Sequence, residues 1–63
     1  MSLLGFINKV DYIIKLKGYE IKDIDLDDGL LVFSINNNKK LVFAYRYYDT
    51  VDAIINKIES EME

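Results

Sequence analysis

The sequence predicts an α+β domain of element order α-β-β-β-α: a three-stranded antiparallel meander with two helices packed on one face. Apolar residues recur at helical spacing near both ends of the chain, from Leu3 to Ile14 and from Val51 to Met62. Between those stretches the apolar period falls to two. Turn chemistry interrupts that middle region twice, at Asp27-Asp28-Gly29 and at Asn36-Asn37-Asn38-Lys39-Lys40, and so divides it into three hairpin-linked strands. With 63 residues and no proline, linker or internal repeat, residues 1–63 form a single domain.

The first helix is expected over Ser2 to Lys17. Leu3, Ile7, Val10 and Ile14 share one face, Phe6 and Ile13 widen it, and Lys9, Asp11 and Lys15 fall mostly outside it. Ser2 suits the cap, Lys15 and Lys17 suit the negative end of the helix dipole, and Gly18 is a natural stop. Gly5 weakens the first turn.

Beyond the helix, Tyr19 and Ile21 share one parity, whereas Ile24 and Leu26 share the other. The slip at Lys22-Asp23 implies either a β-bulge or a strand that begins only near Lys22. Leu30 to Ile35 and Leu41 to Tyr48 are the second and third strands. The last helix starts at Asp49 or Thr50, with Asp52 in its favourable first turn. Its apolar stripe is Val51, Ile54, Ile55, Ile58 and Met62. Glu59, Glu61 and Glu63 crowd an end that the dipole makes unfavourable for acids, so fraying is expected there.

The two later strands carry an excess of apolar residues. Leu31, Phe33, Ile35, Leu41, Phe43 and Tyr45 supply a core face for the helices. That leaves Leu30, Val32, Val42 and Ala44, with Arg46 and Tyr48, on the opposite face. An exposed apolar patch on so small a protein marks an interface, and these six residues are the candidate binding site. Reversing the two faces would leave the apolar surplus intact.

Composition narrows the function classes. A chain this short buries only about 60% of the surface its unfolded form exposes, so it needs a dense core or a partner. The sequence has no cysteine and no histidine, which removes disulfides, thiolate zinc sites and the commonest transition-metal ligand. Self-association, as a homodimer, is the expected staple. A net charge of −3 argues against broad nucleic-acid binding, which depends on neutralising phosphates. No apolar run approaches the roughly 20 residues needed to span a bilayer. The opening Met1-Ser2-Leu3-Leu4 lacks a basic region typical of a signal peptide. A cytoplasmic protein without a cofactor or a metal is the expectation.

No catalytic residues are assigned. Ser2, Ser34, Ser60 and Thr50 have no evident activating base, and the three isolated glycines form no phosphate loop. Asp23, Asp25 and Asp27 match the first, third and fifth positions of an EF-hand loop. Gly29 then falls one place late, and Ser34 stands where a bidentate glutamate is required. An acidic strand edge running into an Asp-Gly turn explains the same residues with fewer demands, and such charges discourage edge-to-edge sheet pairing. Tyr45-Arg46-Tyr47-Tyr48 combines residue types enriched at binding hot spots and able to stack on unpaired bases. Tyr45 and Tyr47 are expected in the core, and Arg46 and Tyr48 on the binding face.

The element order over the whole chain resembles that of the double-stranded RNA-binding domain, which packs two helices on one face of a three-stranded antiparallel sheet. That resemblance implies a lysine-rich start to the second helix that grips phosphates. Here the place reads Asp49-Thr50-Val51-Asp52, and the local match is confined to Lys39 and Lys40 in the second hairpin. The nucleic-acid alternative therefore rests on Lys39, Lys40 and Arg46, with Tyr48 as a stacking platform. In composition the chain is similar to the small acidic regulators and inhibitors of phages and other mobile elements, which block a protein surface. Its acidic groups (Asp23, Asp25, Asp27, Asp28, Glu59, Glu61 and Glu63) would complement a basic groove. The expected function is a non-enzymatic protein-interaction module.

Overall fold

A computed structural model describes residues 2–62 and has the α-β-β-β-α order. Helix α1 spans Leu3–Leu16. Ser2 caps it, its Oγ accepting from the Gly5 N–H at 3.0 Å. At the other end Gly18 adopts φ +87°, the Gly18 N–H donates to the Lys15 carbonyl and the Tyr19 N–H to the Ile14 carbonyl. This is a Schellman stop, which turns the chain back so that Tyr19 packs against the core beside Ile14. Phe6, Val10, Ile13 and Ile14 are buried, while Leu3 and Ile7 of the expected stripe sit half-buried at its margin.

Strands β1 (Ile21–Asp27), β2 (Leu30–Ile35) and β3 (Lys40–Phe43) form one antiparallel sheet in the order β1-β2-β3. Ile21 pairs with Ile35 but Asp23 with Ser34, so Lys22 is an extra residue and the parity slip is a β-bulge. The first hairpin turns on Asp28 (φ 49°) and Gly29 (φ 79°), both left-handed as a type I′ turn requires. A Cβ at Gly29 would meet nothing within 4 Å, so Gly29→Ala tests backbone conformation alone. The expected cost is about 1 kcal/mol, read as a lower urea midpoint with an unchanged slope. In the second hairpin Asn38 takes the left-handed position (φ 69°), a conformation asparagine tolerates, and the Ile35 N–H donates to the Lys39 carbonyl.

Helix α2 spans Val51–Met62. Of the two possible caps, Thr50 serves: its Oγ1 accepts from the Ala53 N–H at 3.2 Å. Ile54 and Ile58 are fully buried, Ile55 and Met62 pack partly against the core, and Val51 is exposed. Both helices lie on the sheet face formed by Leu31, Phe33, Ile35, Leu41 and Phe43, each at most 2% exposed.

One expectation about the strands needs correction. The third strand does not run to Tyr48. It ends at Phe43, and Tyr45–Tyr47 forms one turn of 3-10 helix. Leu31 pairs with Phe43 and β2 begins at Leu30, so no β2 residue remains to pair with Tyr45 and beyond. An unpaired edge cannot hold the run extended, and aromatic packing takes over. The acidic end of α2, where fraying is expected, has cations beside it. Glu59 and Glu61 lie within a helix that continues through Met62, while Glu63 lies outside the described residues. Lys39 explains this: its Nζ donates to the Glu61 carbonyl at 3.0 Å, placing a cation on the negative end of the dipole. Lys57 adds an ion pair with Glu61 at 2.9 Å, and that hydrogen bond holds the lysine pKa above its ordinary value against partial desolvation. Replacing Lys39 with methionine is expected to leave the fold intact and to speed amide exchange several-fold in the last turn of α2. Unchanged protection there would show that the lysine cap contributes nothing.

Candidate functional site

The sheet face away from the helices carries the candidate site. Directly paired residues of antiparallel strands point to the same side, so the register defines three rows on this face. Asp23, Ser34 and Lys40 form the first. Asp25, Val32 and Val42 form the second, and Asp27 and Leu30 begin a third. Leu30 and Val42 are 40% and 45% exposed, and Val32 and Ala44 are half-buried. Four of the six expected binding residues therefore belong to this face or its margin: Leu30, Val32, Val42 and Ala44.

The other two are displaced by the end of β3. Tyr48 is half-buried, its ring 5.2 Å from Phe43 and 6.3 Å from Phe6 in edge-on contacts, so it packs on the helix side. Arg46 lies on the 3-10 turn, exposed, with its guanidinium 6.0 Å from the centre of the Tyr45 ring. Tyr45 packs partly against the core as expected, whereas Tyr47, also expected there, is 84% exposed. Once the strand ends, alternate residues no longer alternate faces.

The acidic residues complete the face. Asp23, Asp25 and Asp27 line one edge of the apolar strip of Leu30, Val32 and Val42. The parity of Ile24 and Leu26 carried this placement in the sequence, because core-side apolar residues put the alternating aspartates opposite. The three carboxylates lie along an extended strand and do not wrap a common centre. Among the described residues no group of three potential ligands is placed to hold a metal ion. Ser34 stands between Asp23 and Lys40, yet among the described residues no hydrogen bond joins its side chain to either.

The cationic alternative is divided: Lys39 and Lys40 line one hollow, and Arg46 lies apart from them. Lys39 is engaged at the end of α2, Lys40 lies at one end of β3, and Arg46 lies beyond the other end. Lys22, Lys39 and Lys40 line one shallow hollow of about 390 Å³ with Asp23, Ser34, Ile35 and Asn38, so a carboxylate sits among the ammonium groups. At the start of α2, Asp49 and Asp52 are exposed. Among the described residues no helix is long and apolar enough to cross a membrane. No protein-family model, curated protein or solved structure matches the chain.

Proposed function

We propose that this chain is a small non-enzymatic protein-interaction module that lays its open sheet face on a protein surface. The observation that carries this reading is the apolar strip of exposed Leu30 and Val42 around half-buried Val32, on the one face the helices leave uncovered. The aspartates of β1 give the strip a charged rim, the usual anatomy of a contact patch. Its role is that of a cytoplasmic regulator or inhibitor, of the kind phages and mobile elements carry, acting by occupancy. The absence of histidine and cysteine and the acidic surface favour occupancy over chemistry.

A photo-reactive amino acid at position 42 tests the reading in the native cell. Adducts with protein are expected from position 42 and not from position 56, on the exposed side of α2. Equal adducts from both positions would remove the sheet face from the reading. Nucleic acid is tested directly with labelled duplex RNA, duplex DNA and single strands at low salt. Flat anisotropy titrations are expected, because Asp23 sits among the clustered lysines, Lys39 is engaged at the end of α2, and Arg46 lies apart. Saturable, salt-sensitive binding would make the protein a nucleic-acid binder instead.

A further inference from the structure

We infer that the open face is covered by a second copy of this chain, the two sheets stacked about a two-fold axis parallel to the strands above β2. This rests on the proposed use of the face for protein contact and names the partner. The argument is the charge pattern across the sheet. Each cross-strand row reads acid on β1 and small or apolar on β2, then lysine at position 40 or valine at position 42 on β3. A face-to-face homodimer has two simple in-plane axes, and the pattern distinguishes them.

With the axis along β2, each β1 lies over the partner's β3 and every row keeps its height. Asp23 then faces the partner's Lys40, twice by symmetry, and Val32 and Leu30 meet their own copies at the centre. Asp25 lies at the rim above the partner's Val42, its carboxylate still open to water on one side. With the axis across the strands, β1 lies over β1. Asp25 would face Asp25 and Asp23 would face Asp27, stacking six carboxylates without a cation. Edge-to-edge pairing would leave the apolar strip in water. Of these arrangements only the one parallel to the strands sets a carboxylate, Asp23, against an ammonium group, Lys40, while joining the apolar strips.

The size of the face sets the strength of the contact. Three strands spaced about 4.8 Å apart and some five residues long present about 250–300 Å². That is well under the ~800 Å² per partner of a standard interface, so the dimer is weak and forms at high protein concentration. The rim pairs set orientation more than affinity.

The chain has no cysteine, which makes cross-linking clean. Four variants are placed at millimolar concentration with a short thiol-reactive cross-linker: V32C, D23C, K40C and D25C. V32C is expected to link to itself. An equimolar mixture of D23C and K40C is expected to link about tenfold more than either alone, since that heterodimer keeps one intact Asp23–Lys40 pair. Self-linking of D25C in place of the mixed link overturns the orientation. If V32C stays monomeric while position 42 forms adducts with other proteins, the second copy is overturned and the face reading stands. If V32C stays monomeric and position 42 forms no protein adduct, both fall.

Discussion

Replacing Phe43 with alanine is expected to remove much or all of the domain's stability at 25 °C. The ring is fully buried on the last residue of β3, with ring centres 5.2 Å from Phe6, 5.7 Å from Phe33 and 5.2 Å from Tyr48, all edge-on. Truncating a buried phenylalanine costs about 3–5 kcal/mol, the transfer of the ring and the cavity it leaves both counting. A chain of 63 residues has about 3–9 kcal/mol of stability to lose, so the variant loses between a third and all of it. The loss is concentrated because Phe43 joins three parts of the fold: α1 through Phe6, β2 through Phe33 and, through Tyr48, the segment just after the 3-10 turn. Far-ultraviolet circular dichroism during a urea titration reads the effect, and a midpoint within 0.3 M of wild type would contradict it, since urea slopes are about 1 kcal/mol/M for so small a chain. Phe43→Leu keeps most of the volume and is expected to remain folded with a reduced midpoint.

How far the sequence foretells this molecule depends on how far along the chain each feature reaches. Ser2, Gly18 and Thr50 mark the helix limits through hydrogen bonds to residues within a turn, so their chemistry was visible in place. The bulge at Lys22 was visible as a change of parity, and the helix-covered face as the bulkier of two apolar sets. Tyr45 to Tyr48 read as strand because tyrosine and its neighbours suit strands. The end of β3 is decided elsewhere, by the position at which β2 begins, and local propensity carries no record of that. The same distance hid the role of Lys39. Its partner, the Glu61 carbonyl, lies 22 positions away, so the acidic end of α2 looked uncompensated. The site was legible in the same proportion. Leu30, Val32 and Val42 follow from alternation along paired strands, whereas Arg46 and Tyr48 were assigned by alternation past the point where pairing stops.

Opposite charges at position 42 are expected to have opposite effects on self-association, and this is the sharpest consequence of the stacking. Val42 is 45% exposed in the monomer, so little apolar burial is lost when it is replaced. Its cost to folding is that of a poorer strand former on an edge, about 1 kcal/mol, and the helical dichroism persists. In the stacked dimer, however, Val42 lies under the partner's Asp25. Val42→Asp places two carboxylates against each other at both symmetry-related positions and buries polar groups in the apolar strip. A penalty of about 2–3 kcal/mol weakens association about 30- to 150-fold, which for so weak a contact abolishes it. Val42→Lys costs the strand about as much but offers Asp25 a cation at each position, so the dimer is retained or tightened. Sedimentation equilibrium of the two variants beside wild type separates the possibilities. Loss with aspartate and retention with lysine is the pattern of β1 over β3. Loss with both variants means that Val42 contributes apolar contact alone and that Asp25 lies elsewhere. Association of Val42→Asp at wild-type strength would place the contact on another surface of the molecule.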